Sequence, residues 1–477
     1  MSQLFADCIS EIFEYLERDK NTLRSCLLVN RLWCEISVKI LWRNVWNYST
    51  YNYSILISCL PDESKEILNK NGIIISTPIS KPLLFNYASF CKVLSDFHVK
   101  HGVERLLKNQ QTISSQNLDY NVHIVAQEIY KLFMNQISSL RELHVDLLSM
   151  NISFTSYPGS INCLKDLSEL SCRSNFYPEF FYQLSQISHN IKSIYIVFDY
   201  KVSDGLLDLI ISQNNLKNLV LHQSHTHKVL TDIIPSLTEL SNTLIKLGIY
   251  EIHDYIPLPL PSNLHELVLS FYYDFSEVSE DSFVELQHIT FSQLQILRFR
   301  YACPRVEYLV NFLENNGENL KELYVEDGIQ SLNSLNLAIS EFCPNLKILS
   351  TSISDYESLK GIFNRCKHLE SIKICDKYLI LKELFNVVIK YSPKKFFQLK
   401  IYYDSQIELQ LLPELLESFY DGWKNRTVSQ NPFSLIIIDY YEKNNLMKND
   451  ENLKIIEKYI ELGVIKNFKI IYYDENY

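Results

Sequence analysis

One apolar pattern recurs along most of this 477-residue chain, and it constrains the fold more than any other feature. Apolar residues fill the first, fourth and sixth of six positions, as in LRELHV and LKELYV. Successive copies are mostly 20–30 residues apart, and the last two intervals widen to 37 and 32. Because strand side chains alternate, the pattern predicts short strands whose fourth and sixth positions face a core. Thirteen copies begin at Leu140, Leu167, Ile191, Leu216, Leu244, Leu264, Leu294, Leu320, Leu346, Leu369, Phe396, Phe433 and Ile465.

Helical patterns lie between several of these strands. A single strand and helix of this size cannot bury its apolar face alone, so neighbouring units must stack. A doubly wound sheet also alternates strands and helices, but about twelve evenly spaced strands are too many for one such sheet. The helical patterns are those of Leu206, Leu209 and Ile210, of Val306, Leu309, Val310 and Leu313, and of Leu359, Ile362, Phe363 and Cys366.

The series resembles leucine-rich repeats, and the segments FCPNLKIL and RCKHLESI are similar to their cysteine-containing variety. It departs from that family in lacking a ladder of Asn or Cys after each strand, where Ser, Ala, Gly or Lys stand instead. The resemblance implies an α/β solenoid shaped like a horseshoe, with a concave parallel sheet and convex helices.

The first 46 residues predict three short helices. Apolar residues recur at helical spacing from Ile9 to Leu16, and Asn21 or Thr22 is expected to cap the second helix. The third helix should begin near Arg31. A unit of about forty residues is too small to bury this much apolar surface alone, so part of it is expected to contact a partner.

This segment resembles an F-box, with Phe5 standing where that family usually has Pro. The resemblance implies docking to the Skp-type adaptor of a cullin-based ubiquitin ligase. An ordinary helical cap on a larger domain is the alternative. The matching positions are Leu4, Ile9, Ile12, Phe13, Leu16, Leu23, Val29, Arg31, Trp33 and Trp42. The adaptor-binding residues that the resemblance implies are Leu4, Phe5, Ile9, Ile12, Phe13, Leu16, Leu28, Val29, Arg31 and Trp33.

Residues 47–135 are interpreted as a helical stalk between the F-box (1–46) and the repeats (136–477). Helices are predicted from about Ser54 to Leu68, with a break at Pro61, and around Val122 to Phe133. The stretch 73–75 could form a short strand. A further helix is predicted on the apolar face Phe85, Ala88, Cys91, Leu94 and Phe97.

Charge and cysteine usage limit the partners and the compartment. A net charge of −11 disfavours nucleic acid and anionic membranes as main partners. The eleven cysteines are scattered, with no Cys-x-x-Cys, which is typical of a reducing compartment. There is no secretory signal pattern and no apolar run approaching about eighteen residues, so we expect a cytoplasmic or nuclear protein.

No catalytic motif is present in the sequence. It contains no Gly-x-Ser-x-Gly, no P-loop and no His-Glu-x-x-His, and we expect no cofactor. His222, His225 and His227 could form a metal site, but they are interpreted as solvated histidines in a loop after a strand.

The two resemblances together imply a non-catalytic substrate-recognition subunit of an SCF-type ubiquitin ligase. The F-box would bind the adaptor, and the repeats would bind a protein substrate for ubiquitination and proteasomal degradation. A protein-binding repeat scaffold without a ligase role is one alternative, and an enzyme whose site is not local in sequence is another.

The fifth and seventh positions of each repeat should point to the open concave face. Tyr and Arg often carry interface energy, so they are the candidate substrate contacts. Parallel pairing would place Arg298 beside Tyr324 and Arg300 beside Glu326; a solvated face with a weak ion pair is the alternative. The substrate-binding candidates are Tyr195, Tyr250, Arg298, Arg300, Tyr324 and Glu326, and Val220, His222, Val268 and Lys373 share the face.

Overall fold

The fold is described from a computed structural model. The chain consists of two units, Met1–Leu219 and Val220–Tyr477. The structure describes residues 6–75, 83–109, 117–146, 154–199, 201–223, 233, 237–238, 243–252, 260–271, 283–300, 304–325, 332–353, 355–375, 380–403, 411–426, 431–439 and 450–472.

The three predicted N-terminal helices are present as α1 (Ala6–Glu14), α2 (Lys20–Cys26) and α3 (Arg31–Leu41). Asp19 caps α2, in place of the expected Asn21 or Thr22, because its carboxylate accepts the Thr22 N–H at 3.1 Å. Asn30 caps α3 in the same way, accepting the Trp33 N–H at 2.9 Å. These acceptors define the helix starts because the first N–H groups of a helix have no partner inside it.

The first unit continues with alternating helices and parallel strands. Strand order follows chain order, and β1 pairs with β2, β2 with β3 and β3 with β4. The strands are β1 (Val93–Ser95), β2 (Glu142–Val145), β3 (Glu169–Arg173) and β4 (Ser193–Phe198), and β5 (Asn218–Gln223) contains the boundary between the units. The helices are α4 (Thr50–Ser58), α5 (Asp62–Lys70), α6 (Asp96–Lys108), α7 (Leu118–Gln136), α8 (Ser160–Leu164), α9 (Pro178–Ile187) and α10 (Leu206–Ile211).

Two predictions within residues 47–135 are wrong. Residues 73–75 form no strand, and the helix predicted across Phe85 to Phe97 is instead a short 3-10 turn, Tyr87–Phe90, followed by β1. Of the predicted apolar face, Ala88, Cys91 and Leu94 are buried, Leu94 in register with Leu143 of β2, whereas Phe97 lies on α6 and is 43% exposed. The division into domains 1–46, 47–135 and 136–477 stays a prediction.

The second unit repeats one strand and one helix along most of its length. Each strand from β6 onward is parallel to the next one in the chain. The strands are β6 (Lys246–Ile252), β7 (Glu266–Phe271), β8 (Ile296–Arg300), β9 (Glu322–Val325), β10 (Ile348–Ser352), β11 (Ser371–Cys375), β12 (Gln398–Tyr403), β13 (Phe433–Asp439) and β14 (Ile465–Tyr472). The helices are α11 (Val306–Asn316), α12 (Leu332–Phe342), α13 (Tyr356–Arg365), α14 (Leu381–Tyr391), α15 (Pro413–Lys424) and α16 (Asp450–Glu461).

All thirteen predicted repeat segments are strands, and they correspond to β2 through β14. In the second unit the fourth positions of β6 through β12 align in register and form a buried row, which confirms the α/β repeat fold. In β13 the prediction is displaced by one residue: Leu435 lies in the row, and the predicted core residues Ile436 and Ile438 lie on the other side of the strand. The side of the strands opposite this row is called the outward face. In the second unit the fully buried members of the row are Leu247, Leu267, Leu297, Leu323, Leu349, Ile372, Leu399 and Leu435.

Candidate functional site

The N-terminal helices enclose a small core of their own, separate from the buried rows of the strands. Phe13 is buried at its centre, and the Trp33 ring meets it edge-on with the ring centroids 5.1 Å apart. Trp33 is only partly buried, so its outer edge stays accessible. The buried members of this core are Ile9, Phe13, Leu23, Cys26, Ile36 and Ile40, and Leu16, Leu32, Trp33 and Leu41 pack against them.

Three apolar side chains of the N-terminal unit face solvent instead, Ile12 on α1 and both Leu28 and Val29 in the turn between α2 and α3. Leu28 is 89% exposed, Val29 56% and Ile12 53%, and we call them the exposed apolar set. Exposed large apolar side chains mark protein-interaction surfaces when they are contiguous, as Leu28 and Val29 are along the chain. The set is therefore the accessible apolar part of this helical unit.

The predicted adaptor-binding residues thus occupy different environments. Ile9 and Phe13 lie in the interior and support the surface from beneath, whereas Arg31 is exposed on the side of α3. Leu4 and Phe5 lie outside the described residues. The assignment of all the predicted residues to an adaptor interface stays a prediction.

Arg43 connects the helical unit to the first strand. Its guanidinium donates two hydrogen bonds of 2.6 Å to the Glu14 carboxylate on α1 and lies 3.3 Å from Glu17. These bonds lower the pKa of Glu14, so the carboxylate is charged at neutral pH. The Arg43 carbonyl accepts the N–H groups of Lys92, at 2.7 Å, and Val93, at 3.1 Å. One residue therefore holds both α1 and the start of β1.

A network of alternating charges crosses the outward face of β6 to β9 in the second unit. Lys246 lies 2.9 Å from Glu266, which also lies 3.5 Å from the Arg298 Nε. Arg298 donates to Glu322 at 3.0 Å. The predicted cation at Arg298 is therefore neutralised on both sides by carboxylates of adjacent strands.

Tyr324 completes this network as the register neighbour of Arg298, as predicted. The Arg298 guanidinium carbon lies 3.9 Å from the ring centroid, within the range of a cation–π contact. The Tyr324 hydroxyl donates to Glu322 at 2.9 Å. Burial, with this hydrogen bond, raises the Tyr324 pKa to about 12, so the hydroxyl remains a neutral donor.

Tyr250 lies at an irregularity of β6. The pairing of β6 with β7 shifts after Ile249, and Glu251 has a φ of 55°, the left-handed region that non-glycine residues rarely adopt. The Tyr250 ring lies against Gly248, where a Cβ would be 2.9 Å from the ring. The Arg300 guanidinium carbon lies 5.8 Å from the Tyr250 ring centroid. The bulge thus directs Tyr250 along the face toward Arg300.

Val268 does not belong to the open surface, contrary to the prediction. It is 1% exposed, because it lies in register between Gly248, which the Tyr250 ring covers, and the long side chain of Arg298. Glu326 lies outside the described residues, so its position beside Arg300 stays a prediction. Tyr195, in the first unit, is 36% exposed on β4 and faces outward as predicted.

His222 belongs to strand β5 and not to a loop, contrary to the prediction. Its Nε2 lies 3.2 Å from a Glu251 carboxylate oxygen. His225 and His227 lie outside the described residues. Within the described part of the chain, no three His, Cys, Asp or Glu side chains gather in a way that could hold a metal ion.

Two groups on the outward faces were missed by the sequence analysis. In the first unit, the half-exposed Trp46 stacks on His98 at 5.4 Å and meets His144 at 5.1 Å. In the second unit, Lys400 lies in register with Lys373. His144 and Lys400 both occupy fifth positions of their repeats, so the alternation rule could have identified them.

The comparison with solved structures finds chains that are similar in fold, and one of them is described here. No protein-family model and no curated protein matches this chain. A chain in the crystal structure of the Rad7 and Elc1 complex in yeast is similar, with 16% sequence identity and a TM-score of 0.36. The match covers 92% of this chain and 94% of that chain. A TM-score this low does not support an inference about partners, so the repeat fold rests on the strands of this chain.

None of the described helices combines the length and the apolar character needed to cross a membrane.

Proposed function

We propose that this chain is the non-catalytic substrate-recognition subunit of a cullin-based, SCF-type ubiquitin ligase. The three N-terminal helices bind a Skp-type adaptor and, through it, the cullin, and the repeats bind a protein substrate. The chain acts in the cytoplasm or nucleus and performs no bond chemistry itself. Its contribution is proximity, because it holds a target lysine near a ubiquitin that other subunits transfer.

The observation that carries this proposal is a helical unit that exposes apolar side chains while being fixed to the first strand. Leu28 and Val29 offer area for an apolar partner surface. Arg43 joins α1 to β1 through its side chain and its carbonyl. A ligase receptor needs such a fixed connection, because a loosely tethered substrate would have a lower effective concentration at the transfer site.

Replacing Leu28 and Val29 together by Ser is expected to weaken adaptor binding at least about tenfold, since central apolar contacts dominate interface energies. The measurement is a titration of the purified chain with a labelled Skp-type adaptor. Leu84→Ser is the matched control, because Leu84 is 88% exposed, close to the 89% of Leu28. Equal adaptor affinity in the double variant and in wild type would rule out this surface.

Trp33→Ala is a less specific variant for this purpose. Trp33 packs edge-on against the buried Phe13, so its loss would also destabilise the helical unit. Exposed side chains can be removed with little effect on folding, so variants at Leu28 and Val29 distinguish loss of binding from loss of structure.

Changing Arg298, Arg300 and Tyr324 together to Ala is expected to reduce substrate capture while adaptor binding stays at the wild-type level. Tyr and Arg bury area while retaining polar contacts, so their removal weakens interfaces more than most surface changes do. The measurement is the amount of substrate recovered with the variant from cells whose proteasome is blocked, the substrate being identified first with wild type.

The matched control removes two cations and one tyrosine from α14 through Lys382→Ala, Lys390→Ala and Tyr391→Ala. Unchanged substrate capture by the Arg298, Arg300 and Tyr324 variant would show that the substrate does not bind at β8 and β9. A chain that captures substrate but fails to bind any Skp-type adaptor would favour the alternative function, a protein-binding repeat scaffold with no ligase role.

A further inference from the structure

Arg298 and Arg300 share the outward face of β8, but their surroundings differ. Arg298 is neutralised by the carboxylates of Glu266 and Glu322. The Tyr324 ring centroid also lies 3.9 Å from the Arg298 guanidinium carbon. Arg300 forms no ion pair and no hydrogen bond with any residue that the structure describes. It is partly buried, so its charge is less well hydrated than that of a fully exposed arginine and favours an anionic partner.

The chain holds a tyrosine ring beside Arg300. The pairing of β6 with β7 shifts at Tyr250 and Glu251, and Glu251 has a φ of 55°, in the left-handed region. Backbone strain of this kind in a non-glycine residue is concentrated at functional sites. The Tyr250 ring centroid lies 5.8 Å from the Arg300 guanidinium carbon, near the outer limit of about 6 Å for a cation–π contact. Arg300 is therefore close to the ring but only loosely held by it.

Ser270 lies between these two side chains, in register with Arg300 on one side and next to the β6 bulge on the other. It is fully buried, and its Oγ has no hydrogen-bond partner among the described residues. A buried hydroxyl without a partner is unfavourable and calls for a physical explanation. The carboxylate of Glu251 does not supply the missing acceptor for Arg300, because its partner is the His222 imidazole at 3.2 Å. We call Tyr250, Ser270 and Arg300 the donor row.

We propose that the donor row binds the carboxylate of an Asp or Glu side chain of the substrate. A planar guanidinium matches a carboxylate with two parallel N–H donors, and the hydroxyl groups donate to its remaining lone pairs. Ser270 is buried beneath the row, so its hydroxyl reaches the ligand only after the loosely held Arg300 side chain turns outward. This inference rests on the repeats being the substrate-binding part of the chain, but it does not depend on the adaptor.

Charge complementarity favours an acidic side chain as the occupant, because the donor row holds one cation and no carboxylate. A nucleic acid is disfavoured by the single cation and by the net charge of −11. The competing partner is Glu326, which parallel pairing predicts beside Arg300 and which lies outside the described residues. A carboxylate of the chain itself would neutralise Arg300 and leave no place for the substrate, so the test must distinguish these two sources.

The test measures how fast phenylglyoxal, an arginine-specific reagent, modifies each arginine of the purified full-length chain, with the sites resolved by peptide mass spectrometry. We expect Arg300 to react at least about fivefold faster than Arg298, because two carboxylates stabilise the protonated, unreactive form of Arg298. Hexaglutamate at about 10 mM should slow the Arg300 reaction at least about threefold, the range expected for one weak ion-pair site. Arg365, at an exposed position of α13, is the matched control and should react at an unchanged rate.

Tyr250→Phe keeps the ring and removes one donor, so it should reduce the protection of Arg300 by about half or more. Tyr391→Phe, which removes a hydroxyl from α14, is its matched control and should leave the protection unchanged. Protection that is equal in these two variants would overturn the assignment of the Tyr250 hydroxyl to the site.

Three further results would overturn the proposal. One is a slow Arg300 reaction that becomes at least about fivefold faster in Glu326→Gln, since Glu326 would then be the partner of Arg300. Another is equal protection by hexaglutamine, and the third is stronger protection by inorganic phosphate at the same concentration, which would indicate a small-anion site. Adaptor binding, titrated separately, shows whether the ligase proposal fails on its own.

Discussion

Trp423→Ala is expected to lower the free energy of unfolding of the second unit by about 3–5 kcal/mol, the usual effect of truncating a fully buried Trp. Trp423, on α15, is 1% exposed, and its ring centroid lies 4.4 Å from that of Phe433 on β13. The ring centroids of Phe396, just before β12, and of Phe419, on α15 itself, each lie 6.4 Å from that of Trp423. The variant would therefore lose contacts with β13, with the segment before β12 and within α15 at once, and no small rearrangement can fill the cavity. Urea unfolding, followed by fluorescence and by hydrogen exchange in β13, measures the loss.

Two further variants serve as controls for this prediction. Trp423→Phe should be milder, because it keeps most of the ring and removes the buried indole N–H, which has no hydrogen-bond partner. Trp46→Ala, at a half-exposed Trp of the first unit, should also have a smaller effect than Trp423→Ala. If Trp423→Ala unfolded at the wild-type urea concentration, the packing of α15 against β13 described above would be incorrect.

Gly102→Ala is expected to destabilise the first unit by about 1–3 kcal/mol, as overpacked sites do. Gly→Ala inside a helix normally stabilises a protein by about 0.5–1 kcal/mol, so the expected change in unfolding free energy has the opposite sign here. A Cβ on Gly102, in α6, would overlap the Tyr53 ring. That ring is buried, and its hydroxyl donates to the His98 carbonyl at 2.9 Å, so it cannot move aside freely. Thermal unfolding of the variant measures the change.

Gly361→Ala is the matched control, because Gly361 also lies inside a helix, α13. The nearest atom to its added Cβ would be the Ser340 Oγ, at 3.9 Å. Without a clash, this variant should be stabilised by the usual helix-propensity gain of about 0.5–1 kcal/mol. Stabilisation by both substitutions would show that Tyr53 does not pack against α6 as described.

Local sequence patterns predict where the residues of the candidate sites lie on their strands, but the side chains of neighbouring strands determine their exposure and charge environment. The neighbouring positions of Arg298 and Tyr324 follow from strand period and parallel pairing alone. Their chemistry does not, because the carboxylates that neutralise Arg298 come from Glu266 and Glu322 on two other strands. The same limit explains Val268, whose position is outward by alternation but whose exposure depends on the Tyr250 ring and the Arg298 side chain.

The N-terminal helices show the same contrast between a local sequence pattern and tertiary packing. Helical spacing groups Ile9, Ile12 and Phe13 on one apolar stripe. Only packing among α1, α2 and α3 separates the buried Ile9 and Phe13 from the exposed Ile12. The stripe is wider than the area that the two neighbouring helices can cover, so its edge remains accessible.

The sequence by itself determined the repeats, because a six-residue strand pattern with alternating burial is local information that each copy carries independently. The tertiary structure alone decided β1, since a three-residue strand has too few side chains to display a period and exists because its backbone pairs with β2. It also decided the connection of Arg43 to Glu14, which are 29 positions apart in the chain. Contacts of this kind depend on which distant segments of the chain come together in the fold, and no local sequence period encodes this.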